Sequence, residues 1–137
     1  MMCKILIAED DAVSRKFLNQ FMSQFGSCDL VIDGYEAVDA FLLGIQEDDP
    51  YDLICLDIMM PKLDGIQVLQ TIRKLETETL KGSRARIIMT TALGETEMVR
   101  TAFDNGCDAY ASKPIDTEKF VEVLGSLGIK SMKGGKT

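Results

Sequence analysis

The sequence predicts an α/β domain: a doubly wound, five-stranded parallel sheet with helices on both faces. Three observations predict it. Short apolar runs alternate five times with stretches whose apolar residues recur at helical spacing. The strongest runs are continuous rather than alternating, as strands buried on both faces require. No internal repeat or linker-like stretch divides the 137 residues, so one domain uses the chain. Right-handed crossovers between parallel strands then wind helices onto both faces.

The elements follow in order. Ile5–Leu6–Ile7–Ala8 is the first strand. Val13, Phe17, Phe21 and Phe25, with Leu18 and Met22 beside them, form a helical stripe with Asp11 as N-cap and Gly26 as stop. A short second strand is expected over Cys28–Ile32, ending in an ordinary Asp33–Gly34 turn. Ala37, Val38, Phe41, Leu42 and Ile45 mark the second helix, and Glu47–Asp48–Asp49–Pro50 a solvated loop. Leu53–Ile54–Cys55–Leu56 is the third strand, ending at Asp57, and Ile66, Leu69, Ile72 and Leu75 carry the third helix. Ile87–Ile88–Met89 is the fourth strand, and Met98, Val99, Ala102 and Phe103 the fourth helix, stopped near Gly106. Ala109–Ser112 is a fifth, weaker strand before Pro114, and Val121, Leu124 and Leu127 lie on the last helix. A domain over residues 1–128 is expected, followed by a short polar tail over 129–137, Gly- and Lys-rich from Lys130.

Composition narrows the function. A net charge of −7 with no basic run argues against direct binding of nucleic acid or anionic lipid. The chain has no histidine, so it carries no phosphohistidine and runs no Ser–His–Asp or Cys–His mechanism. Cys3, Cys28, Cys55 and Cys107 form no CxxC pair and read as buried free thiols in a reducing compartment. No leader pattern opens the chain, and no stretch approaches the roughly 18 apolar residues of a membrane span. The expected location is cytoplasmic, without membrane insertion.

In doubly wound sheets ligands bind beyond the carboxyl ends of the strands. There the sequence places Glu9–Asp10–Asp11 after the first strand, Asp57 after the third, Thr90–Thr91 after the fourth and Lys113–Pro114 after the fifth. Each alone is ordinary: a charged turn with a cap, a strand-ending aspartate, strand threonines, a surface lysine. Their collection at one edge is not. If the first and third strands are neighbours, Glu9, Asp10 and Asp57 approach one another. Two carboxylates about 4 Å apart repel by roughly 4 kcal/mol at an effective dielectric near 20. Either one protonates or a cation binds, and an all-oxygen set suits Mg²⁺ completed by a phosphate. A threonine hydroxyl and a lysine ammonium would hold the far side of that phosphate. The group reads as a phosphoryl-transfer site with a carboxylate nucleophile.

These residues resemble the receiver domain of two-component response regulators, in the stand-alone, CheY-like form. The resemblance is carried by Ile5-Leu6-Ile7-Ala8-Glu9-Asp10-Asp11, by the distinctive Asp57-Ile58-Met59-Met60-Pro61-Lys62-Leu63-Asp64-Gly65 with the strand before it, by Ile87-Ile88-Met89-Thr90-Thr91-Ala92, and by Gly106-Cys107-Asp108-Ala109-Tyr110-Ala111-Ser112-Lys113-Pro114. It implies the flavodoxin-like strand order 2-1-3-4-5. It implies Asp57 as phosphoacceptor, and Mg²⁺ held by Asp10, by Glu9 mostly through water, by Asp57 and by the Met59 backbone carbonyl. Thr91 matches the switch hydroxyl, Lys113 the partner of the phosphoryl oxygens, and Tyr110 the aromatic that follows Thr91; the Lys113–Pro114 bond is cis in the family. Met59 and Leu93 are expected to tune self-dephosphorylation. The implied donor is a histidine kinase or histidine phosphotransfer protein. Output would pass to an effector protein through the face of the fourth helix, fifth strand and fifth helix, making the chain a signalling switch rather than an enzyme.

Rivals are weaker. Aspartate-nucleophile phosphohydrolases need a second aspartate two residues after the first, where this chain has Met59. A flavodoxin-type FMN carrier needs a Ser/Thr/Gly-rich phosphate loop where Glu9–Asp10–Asp11 would repel the phosphate. A degenerate, binding-only receiver would usually have lost one of the acidic residues, the threonine or the lysine.

Overall fold

The computed structural model describes residues 3–79, 84–92 and 96–131, with Thr96 as backbone only. Leu93 and the tail beyond Ser131 lie outside the described residues. The elements are β1 (Cys3–Ala8), α1 (Ala12–Met22), β2 (Gly26–Val31), α2 (Gly34–Gln46), β3 (Leu53–Asp57), α3 (Gly65–Thr79), β4 (Arg86–Thr91), α4 (Thr96–Asp104), β5 (Ala109–Ser112) and α5 (Thr117–Ser126). All strand pairs are parallel, in the order β2-β1-β3-β4-β5.

Two cores sandwich the sheet, and strand alternation sorts residues between them. Leu6, Ala8, Ile54, Leu56, Ile87 and Met89 face α2, α3 and α4, meeting Phe41, Leu69 and Ala102. Ile5, Ile7, Leu53, Cys55 and Ile88 face α1 and α5, meeting Leu18, Met22, Phe120 and Leu124. Burial on both faces explains the unbroken apolar runs of β1, β3 and β4.

Several sequence expectations need correction. In α1, Leu18 and Met22 are buried, whereas Val13 is 79% and Phe17 38% exposed. Residues four apart drift by about 40° per step around a helix, so the phenylalanine row winds off the sheet-facing side. The helix ends at Met22 with Ser23 as C-cap, and Phe25 packs inward from beyond it. Gly26 is not the stop but the first residue of β2, which starts two residues earlier than expected and ends at Val31. A Cβ at Gly26 would run into the Cys3 carbonyl oxygen across the strand pair. Asp33 is no ordinary turn residue: it caps α2 by accepting from the Glu36 amide at 2.9 Å, and Gly34 is already helical. On α5, Phe120 and Leu124 face the core while Val121 is exposed, and Phe103 on α4 is likewise partly exposed. The cysteines are free, but only Cys55 and Cys107 are buried; Cys3 and Cys28 are half-buried. Burial pushes the Cys55 thiol up to about 12 and Cys3 and Cys107 to about 11, which keeps them protonated. Among the described residues no helix is long and apolar enough to cross a membrane.

The amino end of the sheet carries a partly buried ion network. Arg73 on α3 donates to Glu76, to Asp108 and to the carbonyls of Ala85 and Gly106 at 2.7–2.9 Å. Arg84 meets Asp108 at 2.6 Å and the Gly106 carbonyl at 2.8 Å. Gln70 adds a 3.1 Å bond to Asn105. The C-terminal end of α4 is thereby tied to α3.

Candidate functional site

The carboxyl end of the sheet is polar. Register pairs Ala8 with Leu56, so the residues that follow, Glu9 and Asp57, leave adjacent strands side by side. Glu9 is fully buried, Asp57 is 4% exposed and Asp10 is open to solvent. Carboxylate oxygens of Glu9, Asp10 and Asp57 lie within 4.8 Å of one another. Lys113, just past β5, reaches over them: its Nζ is 2.7 Å from Glu9 Oε1 and 3.0 Å from Asp57 Oδ2. Its own amide donates to the Thr91 carbonyl at 2.6 Å, and the Lys113–Pro114 bond is cis.

The loop after β3 is fitted closely around Asp57. Asp57 Oδ1 accepts from the Met59 amide at 3.2 Å, Ile58 N donates to the Thr90 carbonyl, and Gly65 N to the Ile58 carbonyl. A Cβ at Gly65 would collide with the Asp57 carbonyl oxygen, so α3 begins this close to β3 only with glycine there. Asp11 caps α1, accepting from Ser14 N at 2.8 Å, which holds its carboxyl below the usual range.

The electrostatics follow from burial. Asp57 is pushed up to about 7, first by desolvation and then by the Glu9 carboxylate, against the opposing pull of Lys113. For Lys113, burial favours the neutral form, but the ion pairs with Glu9 and Asp57 outweigh it and raise its pKa. Three carboxylates thus face one ammonium. Apart from the Lys113 ammonium, no donor reaches the buried Glu9 Oε1 among the described residues.

This donor set fits a hard divalent cation. Octahedral Mg²⁺ with bonds near 2.1 Å sets its oxygens about 3–4.2 Å apart, within the spread of this cluster. The open side at Asp10 leaves space for retained water. One ammonium shared between Glu9 and Asp57, and the raised pKa of Asp57, both mark a shortage of positive charge.

Other expected residues sit around this group rather than in it. The contact Met59 makes is its amide on Asp57, and its side chain is half exposed. Thr90, not Thr91, is the register partner of Asp57, and its hydroxyl lies 3.5 Å from the Leu56 carbonyl. Thr91 is buried one residue further on. Alternation puts it on the same sheet face as Met89 and Tyr110, toward α4, where Tyr110 meets Phe103 edge-to-face at 6.2 Å. One residue escaped the sequence reading. Arg15 donates from Nη1 to the carbonyls of Glu9 and Asp10, at 2.9 and 3.2 Å; its only sequence signal was a cation on the first turn after the acidic pair.

The family model described as response regulator receiver domain matches residues 5–125. The chemotaxis protein CheY of Bacillus subtilis (strain 168) is 31% identical over 126 residues, covering 88% of this chain and 93% of that one. Probable histidine kinase 2 of Oryza sativa subsp. indica is 32% identical over 130 residues, covering 88% of this chain, which spans only 12% of the rice protein. Among solved structures, the CheX–CheY–BeF3–Mg²⁺ complex from Borrelia burgdorferi superposes with a TM-score of 0.79 at 31% identity, covering 93% of this chain and 90% of that one.

Proposed function

Because the chain belongs to the response regulator receiver domain family, we propose that it is a phosphorylation-controlled switch of two-component signalling, with Asp57 as the residue that accepts the phosphoryl group. One observation carries the reading: the Asp57 carboxylate converges with those of Glu9 and Asp10 under the Lys113 ammonium, 3.0 Å away.

In this reading an Asp57 oxygen attacks phosphorus in line. The new O–P bond forms as the donor's P–N or P–O bond breaks, and the leaving group departs with that electron pair. The product is an acyl phosphate on Asp57. Lys113 is placed to offset charge on the phosphoryl oxygens, and the Met59 amide to steady the other Asp57 oxygen. Glu9, Asp10, Asp57 and the Met59 carbonyl would hold Mg²⁺, which when bound would screen the carboxylates and the incoming phosphoryl charge. The Thr91 hydroxyl turns toward the new phosphoryl group, and Tyr110, on the same sheet face, follows. The face of α4, β5 and α5 then shifts between two existing conformations.

The donor is a histidine kinase or histidine phosphotransfer protein, and a separate effector protein reads the α4–β5–α5 face. Exposure of Phe103, Tyr110 and Val121 there supports a protein-binding role. An apolar hollow between α1 and the β5–α5 loop, lined by Val13, Phe17, Pro114 and Ile115 with Glu9 and Lys113 at its edge, offers the donor an approach to the site. We place the receiver domain at residues 1–128, the polar tail at 129–137, and the protein in the cytoplasm.

Intact-mass spectrometry after incubation with acetyl phosphate and Mg²⁺ tests the reading. The expected result is a gain of one phosphoryl group that disappears with Asp57→Asn and with EDTA. A gain that survives Asp57→Asn would move the acceptor elsewhere. No gain with acetyl phosphate or any phosphohistidine donor would leave a binding module only.

A further inference from the structure

Glu9 and Asp10 are consecutive, and along a strand consecutive side chains point to opposite faces. Their carboxylates nevertheless lie together, within 4.8 Å of each other and of Asp57. The chain must therefore turn between them. Glu9 is still on the sheet ladder, its amide donating to the Val31 carbonyl at 3.1 Å, whereas Asp11 is already the N-cap of α1. The whole change of direction falls on the peptides flanking Asp10. Its signature is in the backbone: carbonyls of neighbouring residues, which alternate in an extended chain, here both point at one nitrogen, Nη1 of Arg15, at 2.9 and 3.2 Å.

The geometry points to Arg15 as the positioning residue for the acidic pair, its guanidinium holding the turn that makes Glu9 and Asp10 converge on Asp57. The inference rests on the reading of those three carboxylates as a cation site. Arg15 sits on the first turn of α1, where its own amide bonds the Asp11 carbonyl at 2.9 Å, so the loop is referenced to a regular element. A charged donor on two carbonyls is stronger than a neutral one. It also places positive charge behind the peptides whose side chains crowd negative charge in front. Without it, either carbonyl can rotate toward water, and the Asp10 side chain swings away with its peptide. The role resembles that of groups that orient metal ligands without touching the metal.

The test titrates Mg²⁺ alone into the full chain by calorimetry, for the wild type, Arg15→Ala, Arg15→Lys and Asp10→Asn. Arg15→Ala should bind Mg²⁺ about tenfold more weakly, while Arg15→Lys, whose single ammonium can serve both carbonyls, should stay within about threefold. In metal-free protein, the amide resonances of Asp10 and Asp11 should move in Arg15→Ala while those of β3 and β4 stay in place. Equal Mg²⁺ affinity for Arg15→Ala and the wild type overturns the proposal. So does a loss of affinity accompanied by amide shifts throughout the sheet, since that is general loosening; Arg15→Lys supplies the comparison if Arg15→Ala folds poorly. A wild type that binds no Mg²⁺ sensitive to Asp10→Asn overturns the underlying site reading instead, and this inference with it.

Discussion

Lys113 stands closer to Glu9 than to Asp57, with Nζ 2.7 Å from the Glu9 carboxylate and 3.0 Å from Asp57. Asp57 therefore shares with a fully buried neighbour the one cation paired with it among the described residues. The resting site is short of positive charge, and the following expectations come from that deficit and from the packing around it.

Burial and the Glu9 carboxylate push the Asp57 carboxyl up to about 7, well above the ordinary aspartate value of about 4. A raised carboxyl pKa means that ionisation opposes folding: the cost begins above pH 4, grows through the interval and is complete above about pH 7. Asp57→Asn removes that cost. In EDTA the variant should be more stable than the wild type by roughly 2–4 kcal/mol at pH 8 and by almost nothing at pH 4. Urea denaturation across pH reads it, and a difference that shrinks as pH rises contradicts the assignment.

Lys113→Met leaves Glu9 and Asp57 buried without their cation. Carbon-detected NMR titration should find the Asp57 carboxyl ionising above 7, and stability at pH 8 in EDTA should fall by about 2–4 kcal/mol. An unchanged Asp57 titration would mean that the ion pair contributes little.

Mg²⁺ should raise the melting temperature, because it binds the folded site and has little to hold in the unfolded chain. At a hundred times its dissociation constant the gain is about 2.7 kcal/mol. Adding EDTA should reverse it, and Asp10→Asn should remove it; a shift that persists in that variant would put the ion somewhere else.

Gly65→Ala pushes a methyl group into the Asp57 carbonyl. Because backbone must move on both sides, the expected cost is about 2–4 kcal/mol in denaturant melts, with disturbed amide signals at Met59. A neutral outcome would show that the β3–α3 loop has slack.

Thr91→Ala should still take up phosphate from acetyl phosphate. Its Tyr110 ring resonances should respond less than those of the wild type to beryllofluoride with Mg²⁺, and an undiminished response would remove Thr91 from the relay.

How much of this was legible in the sequence depends on what signals each feature. β3 could be read to its last residue because burial on both faces leaves only apolar side chains until Asp57. β2 was displaced by two residues because it is an edge strand with Ser27 and Asp29 in it, so half of its side chains obey no burial pattern. The α1 stripe misled because a row of residues four apart looks straight on paper and winds on a helix. Glu9, Asp10, Asp57 and Lys113 were legible as a group, since the topology of parallel strands fixes which ends meet. Arg15 was not, because it works by bonding backbone carbonyls, and a carbonyl has no letter in the sequence; Arg73 bonds two carbonyls as well as Glu76 and Asp108, and Asp108 comes within reach only in the fold.

The Arg73 network has a kinematic meaning. Gln70 and Arg73 of α3, with Arg84 just before β4, fasten Asn105 and Gly106, which directly follow α4, at the amino end of the sheet. Any displacement of α4 that preserves those bonds is a swing about that fixed end, never a slide. Such a swing would be smallest beside Gly106 and largest at the opposite end of α4, beside the carboxylate edge.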